Sequence, residues 1–105
     1  MAALAADLGR ADLEGWLSDI SGVRREIQSL AGAIRRFARQ SRVALPFVMR
    51  PGRAVVRNEP LGVVLVVSPW NYPVNLTLVP LAAAMAAGNC VVITPSELAP
   101  ATADL

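Results

Sequence analysis

Residues 63–73 are Val-Val-Leu-Val-Val-Ser-Pro-Trp-Asn-Tyr-Pro and residues 90–97 are Cys-Val-Val-Ile-Thr-Pro-Ser-Glu, and these two segments decide the fold. Each begins with apolar, mostly β-branched residues that do not alternate with polar ones. Such runs predict strands buried on both faces, as in a parallel sheet. Residues 74–87 between them predict an apolar helix that ends at Gly88-Asn89. The sequence therefore predicts a βαβ unit, and with it an α/β fold.

Ligands of open α/β sheets bind beyond the carboxyl ends of the strands. Two turns leave those ends here, at residues 68–71 and 94–97. We expect any ligand site of this chain to draw on both turns.

The segment upstream of the first strand carries a different pattern. Over residues 12–40, apolar residues recur every three or four positions, which predicts one long amphipathic helix with a break near Ser21-Gly22. Residues 2–8 suggest an earlier helix. Two extended segments, 43–49 and 54–56, flank the turn signal Pro51-Gly52 and predict a β-ribbon.

Composition excludes several kinds of site. The chain has 105 residues, enough for one small domain, and 54% are hydrophobic, which argues against disorder. With no Lys and no His, it contains no Schiff-base lysine, no histidine general base and no His-containing metal site. Its one cysteine, Cys90, permits no internal disulfide or cysteine cluster, and we expect no metal site. The reducing compartment that this implies, together with the lack of a signal-peptide pattern, predicts a cytoplasmic protein.

Nine of the ten arginines lie between Arg24 and Arg57. Such a cluster raises nucleic acid and anionic membrane as partners. We favour a solvated face, because no aromatic residues alternate with the arginines to stack on bases. Proline and asparagine interrupt the apolar stretch 61–93, so we expect no membrane span.

Residues 59–98 resemble the aldehyde dehydrogenase superfamily, and most closely its class 3 branch of fatty and aromatic aldehyde dehydrogenases. The resemblance lies in Glu-Pro-Leu-Gly followed by Pro-Trp-Asn-Tyr-Pro, and in Gly-Asn-Cys-Val-Val-Ile-Thr-Pro-Ser-Glu. It implies part of a Rossmann-like NAD(P)-binding domain, with 1–42 as its helical part, 43–58 as a ribbon that helps oligomerisation, and 59–105 as an incomplete βαβ unit. It also implies that the chain is a fragment, about the second quarter of a longer enzyme.

In that family a cysteine thiolate attacks the aldehyde, hydride passes to the nicotinamide, and a glutamate activates the water that releases the acid. The asparagine of the Pro-Trp-Asn turn donates a hydrogen bond to the substrate oxygen. The resemblance gives this role to Asn71. The residues alone favour a different interpretation, because asparagine is also a common turn residue.

The resemblance also implies which residues bind NAD or NADP. Ser68, Pro69 and Trp70 would line the nicotinamide end of the cleft, although Trp70 fits core packing equally well. Thr94 and Glu97 take the positions of a lysine and a glutamate that bind the adenosine ribose. A threonine hydroxyl is shorter and uncharged, so this departure puts cofactor affinity in doubt.

The family's nucleophile and general base belong to segments that this chain does not contain, and we expect the isolated chain to be inactive. Cys90 lies in an apolar strand and is expected to be a buried, inert thiol. Related enzymes commonly assemble as homodimers or tetramers. The alternative is a truncated or decayed fragment that is not catalytic and at most binds or oligomerises. A third reading, attachment to a membrane surface through the Arg-rich helix, has less support.

Overall fold

The computed structural model describes all 105 residues, in a mixed arrangement of helices and strands. The α-helices are α1 (Ala2–Leu8), α2 (Asp12–Gly15), α3 (Ser21–Phe37), α4 (Pro73–Ala86) and α5 (Pro100–Ala103). The strands are β1 (Ser41–Val43), β2 (Ala54–Val56), β3 (Val63–Val67) and β4 (Cys90–Thr94). The predicted α/β fold is confirmed.

The βαβ unit has the predicted connectivity. β3 and β4 pair in parallel, with Val63 opposite Cys90 and Val67 opposite Thr94, and α4 packs on both strands. α4 ends where Gly88 takes a φ of 86°, a conformation that suits a residue without Cβ. The N–H of Asn89 then donates to the carbonyl of Ala84 at 3.0 Å. This cap turns the chain from the helix into β4.

The long helix predicted from residue 12 onward forms without a gap, but it is not α-helical throughout. A π-helical turn, Trp16–Ile20, joins α2 to α3. The irregularity that we expected near Ser21-Gly22 therefore lies one turn earlier, and the helix ends at Phe37 rather than at residue 40. The π-helical turn carries Ser18 and Asp19, which bind the start of α4.

α3 packs against α4, and the apolar stripe of the long helix is buried only near that contact. Val23 is 5% exposed, whereas Leu17 is 61% and Phe37 is 48% exposed. The two helices approach closely at Gly22, where a Cβ would lie 3.0 Å from the side-chain nitrogen of Asn75. Apart from α4, and α1 beside α2, this helix contacts no other element of these 105 residues.

The ribbon is shorter than predicted. β1 and β2 are antiparallel, with Ser41 opposite Val56 and Val43 opposite Ala54. The prediction that residues 43–49 are extended is wrong beyond Val43, because Phe47–Met49 forms a 3-10 turn. Pro46 precedes this turn with a φ of −52°, and its carbonyl accepts a hydrogen bond from the N–H of Met49 at 3.0 Å. A proline has no N–H to contribute to a strand ladder.

The predicted burial of β3 on both faces is not found in this chain. Val64 and Val66 are the less exposed residues of the strand, whereas Val63, Leu65 and Val67 are 62–70% exposed. The elements that contact β3 are β4 and α4, so one face of the sheet has no cover here. The Cα radius of gyration, 19.2 Å, also exceeds the roughly 13 Å of a compact domain of this length.

Candidate functional site

The two carboxyl-end turns lie side by side, as predicted. Val67 and Thr94 are partners at the ends of β3 and β4, and the N–H of Ser68 donates to the carbonyl of Thr94 at 2.9 Å. The ladder therefore continues one residue past the end of β3. The first residues of both turns are fixed to each other before the chain diverges.

Asn71 lies in the bend between β3 and α4, and it is exposed. Its side-chain amide takes part in none of the hydrogen bonds of the chain, so its N–H groups have no acceptor within these residues. Its backbone carbonyl, by contrast, accepts a hydrogen bond from the guanidinium of Arg10. The carboxamide is thus free to bind a ligand while its backbone is held.

The start of α4 is held by a buried carboxylate. Oδ1 of Asp19 accepts hydrogen bonds from the backbone N–H groups of Val74 and Asn75, both at 3.2 Å. These belong to the first turn of the helix, where N–H groups have no partner within the helix. The side chain of Asn75 returns a hydrogen bond to the carbonyl of Ser18 at 2.8 Å. α4 therefore begins on the π-helical turn of the preceding helix.

Arg10 completes this arrangement. Its guanidinium pairs with Oδ2 of Asp19, contacts the hydroxyl of Ser18 at 3.1 Å, and lies 4.5 Å from the centre of the Tyr72 ring. The Asp19 side chain has no exposed surface, and that of Arg10 is 12% exposed. The other nine arginines are all exposed, as the solvated-face interpretation predicts.

Arg10 and Asp19 are not among the site residues predicted from the sequence, although one signal pointed to Asp19. Asp19 lies three positions after Trp16 and four before Val23, which places it on the apolar stripe of the helix. A charged residue on an apolar face needs a partner when that face is buried. The partner could not be identified, because Arg10 and Asn75 approach it only through the tertiary fold.

The residues predicted to bind the cofactor differ in their exposure. Pro69, Thr94 and Glu97 are exposed, and Trp70 is 51% exposed, so Trp70 is not a core residue of this chain. Ser68 is 6% exposed, and its hydroxyl lies 2.5 Å from that of Thr77 in α4. Four of the five therefore present atoms to solvent, while Ser68 joins the strand end to the helix.

A cavity of about 470 Å³ lies behind this turn, between α4, the end of β4 and α5. Ser68, Thr77, Ile93 and Thr102 contribute to its lining. Of the predicted site residues, Ser68 alone lines it. The cavity and the surface that carries Asn71 are therefore distinct.

The prediction that Cys90 is buried is wrong for this chain, since the thiol is exposed. Cys90 begins β4, and no element within these residues covers it. It lies opposite Val63, at the far end of the ladder from Val67 and Thr94. Four residues of strand separate these ends by roughly 13 Å, which places the thiol far from the Asn71 turn.

Asp7 forms a second carboxylate cap. It accepts hydrogen bonds from the N–H groups of Ala101 and Thr102 and from the Thr102 hydroxyl, at 2.7–3.1 Å. Desolvation raises the pKa of the carboxyl, but these hydrogen bonds outweigh it and hold the pKa below its ordinary value of 3.8. The cap joins α1 to α5, the two ends of the chain.

The sequence profile of the Aldehyde dehydrogenase family matches residues 1–105. This chain belongs to the aldehyde dehydrogenase family. None of its helices combines the length and the apolarity that a membrane span requires.

Two relatives agree with this assignment. Over 100 residues the chain is 43% identical to aldehyde dehydrogenase family 3 member B1 of Mus musculus, covering 95% of this chain and 21% of that protein. It is 40% identical to family 3 member H1 of Arabidopsis thaliana over 105 residues, covering all of this chain and 22% of the relative. The chain therefore spans about one fifth of the length of these relatives.

A solved structure shares the fold. The substrate-bound state of AldH from Staphylococcus aureus matches 98% of this chain and 22% of its own, with a TM-score of 0.95 and 34% sequence identity. This aldehyde dehydrogenase chain thus has the fold of one segment of that longer protein.

Proposed function

We propose that this chain forms part of an NAD(P)-dependent enzyme that oxidises aldehydes to carboxylic acids, with Asn71 as the donor to the substrate oxygen. The observation that carries the proposal is the exposed carboxamide of Asn71, which has no hydrogen-bond partner in the chain. It lies in the turn that follows β3, beside the turn that follows β4. Membership of the family supplies the class of substrate.

The chemistry of the carboxamide suits that role. Attack on an aldehyde moves negative charge onto its oxygen, and a fixed N–H donor lowers the energy of that state. An amide donates without a titratable charge, so it does not compete with the nucleophile for protons. Loss of one such donor costs about 10²–10³ in rate in other enzymes.

The exposed groups of the two turns suit a dinucleotide. The Glu97 carboxylate and the Thr94 hydroxyl can accept hydrogen bonds from ribose hydroxyls, and Trp70 offers a flat apolar surface. A nicotinamide cofactor bound there would supply the hydride acceptor of the reaction. Pro69 and Ser68 would shape the path of the backbone beside it. We propose weaker cofactor binding than a lysine at residue 94 would give, because threonine brings no positive charge.

The remaining parts of the proposal concern what lies outside these 105 residues. We propose that the nucleophilic cysteine and the general-base glutamate come from other segments, and that the isolated chain does not turn over. Cys90 is not a substitute, since it lies at the opposite end of the ladder from Asn71. A homo-oligomeric assembly and a cytoplasmic location are further parts of the proposal.

The test uses a chimaera in which residues 1–105 replace the aligned segment of the mouse family 3 member B1 enzyme. We expect the chimaera to oxidise aldehydes with NAD or NADP, and Asn71→Ala to lower kcat by about 10²–10³. Asn58→Ala in the ribbon is the matched control and should leave kcat within about twofold.

Two results would contradict the proposal. An Asn71→Ala chimaera with unchanged kcat would remove the donor role. A folded chimaera without activity would favour the non-catalytic fragment. The isolated chain should give no reduced cofactor with a panel of aldehydes, and a burst of product from it would disprove the dependence on other segments.

A further inference from the structure

We infer that Arg10 and Asp19 are positioning residues of the active site, which together hold the Asn71 turn in its working geometry. The inference rests on the proposed function of Asn71 and deepens it. Neither side chain is hydrogen-bonded to the Asn71 carboxamide. Arg10 acts through the backbone carbonyl of Asn71 itself, and Asp19 acts through backbone N–H groups three and four residues further along the chain.

Asp19 fixes the segment that follows Asn71. Its carboxylate is fully buried, and one oxygen accepts the N–H groups of Val74 and Asn75. These lie three and four residues beyond Asn71, so the end of the turn cannot move without breaking both bonds. The other oxygen is taken by Arg10 and by the Ser18 hydroxyl, the latter at 3.1 Å.

Arg10 fixes the turn itself. One guanidinium nitrogen binds Asp19, and the other donates to the backbone carbonyl of Asn71. Tyr72, the next residue, lies under the guanidinium plane at 4.5 Å. A planar fork with two separate nitrogens can hold a carboxylate and a carbonyl together, which a single lysine ammonium on a flexible stem does poorly.

The ion pair is a costly way to obtain stability alone. Removing two charges from water carries a penalty that their attraction often does not repay, and apolar residues of similar volume serve a core at least as well. What an apolar pair cannot do is accept two N–H groups and donate to one carbonyl at defined angles. These three bonds converge on residues 71–75, which is why we assign the pair to positioning.

The test uses the same chimaera with Arg10→Lys. This substitution keeps the positive charge beside Asp19 but weakens the hydrogen bond to the backbone carbonyl of Asn71. We expect kcat to fall by about tenfold with the KM for the cofactor unchanged, because small displacements of a reacting group lower rates strongly. Arg25→Lys, an exposed arginine of α3, is the matched control and should leave kcat unchanged.

A double-variant cycle separates positioning from general stability. If Arg10 acts by positioning the Asn71 carboxamide, Arg10→Lys should lower kcat by less than about twofold when residue 71 is already alanine. In that background there is no side-chain N–H for the backbone contact to position. An equal loss of kcat in both backgrounds would overturn the inference. So would an unchanged kcat for Arg10→Lys in an otherwise active chimaera.

The outcome also distinguishes failure of the proposed donor role of Asn71 from failure of the positioning role of Arg10 and Asp19. If Asn71→Ala has no effect on kcat, the proposed function of Asn71 fails first. If that variant loses activity but the cycle is additive, the positioning role alone fails. Should Arg10→Lys not fold, Asp19→Glu keeps the ion pair and shifts the carboxylate by one methylene. It should lower kcat, again only when Asn71 is present, and Asp12→Glu on the exposed start of α2 is its control.

Discussion

The carboxylate of Asp19 accepts the backbone N–H of Asn75 at 3.2 Å, across 56 positions of sequence. A side chain of one helix thereby supplies the N-terminal hydrogen bonds of another. Helix caps come more often from the residue just before the helix. Tyr72, which precedes α4, makes no side-chain cap of its own. The start of α4, and with it the Asn71 turn, therefore depends on the docking of the upstream helix.

Loss of the Asp19 carboxylate should destabilise the fold strongly. Asp19→Ala leaves Arg10 without its buried partner and two N–H groups without an acceptor, and breaking a buried ion pair in this way costs about 3–5 kcal/mol. Denaturant unfolding followed by circular dichroism measures the change. Asp12→Ala, on the exposed start of α2, should change the unfolding free energy by no more than about 0.5 kcal/mol. Equal effects of the two substitutions would contradict the burial of Asp19.

The close approach of α3 and α4 at Gly22 predicts opposite effects for two glycine substitutions. Gly22→Ala places a methyl group 3.0 Å from Nδ2 of Asn75, which must shift by a few tenths of an ångström while it is held by its bond to the Ser18 carbonyl. We therefore expect a lower melting temperature. Gly32→Ala in the same helix meets nothing within 4 Å. It should raise stability by about 0.5–1 kcal/mol through helix propensity. A gain of stability in both variants would show that the helices are further apart.

The Asp7 cap predicts an acid-dependent loss of stability. Because the folded state holds the pKa of Asp7 below 3.8, the unfolded state takes up the proton first as the pH falls. The contribution is fully present above pH 3.8 and is lost as the pH falls through the lower, folded-state pKa. Unfolding midpoints measured along this range should converge for the native chain and Asp7→Asn at the acid end. Parallel curves for the two chains would contradict the shift.

Cys90 should react as an exposed thiol. A thiol reagent is expected to label the folded chain at a rate close to that of the chain in denaturant, because the thiol is exposed at the start of β4. Cys90→Ser, which removes the single thiol, gives the background. If Cys90 is labelled slowly in the folded chain and rapidly only in denaturant, the thiol is buried, as the apolar sequence predicts.

Much of the fold near the site could be predicted because its signals are local. The aliphatic run of β3, the Gly88-Asn89 cap and the second run from Cys90 each follow from a few neighbouring residues, and the structure confirms all three. Residues 43–49 do not form a strand beyond Val43 for an equally local reason, since Pro46 lies inside the segment and has no N–H to give to a strand ladder.

The sequence predicted the positions of the strands β3 and β4 better than the solvent exposure of their residues. An apolar residue indicates a preference for burial, but whether it is buried depends on which other elements are present to cover it. Cys90 and Leu65 are apolar and exposed because β3 and β4 contact only each other and α4 within this chain. Sequence periodicity contains no information about a covering element.

The βαβ order, the family, and the placement of Asn71 in the turn after a parallel strand could all be predicted from the amino-acid sequence. The order and the placement follow because strand, turn and helix preferences act between near neighbours, whereas the family follows from the motifs of residues 59–98. Tertiary structure alone decided that Arg10, of the ten arginines, is withdrawn from solvent and meets Asp19 and the Asn71 carbonyl. The contact between Arg10 and Asn71 depends on the packing of segments about sixty residues apart. Electrostatic attraction depends on distance in space and not on separation along the chain, so the sequence does not indicate which charges will meet.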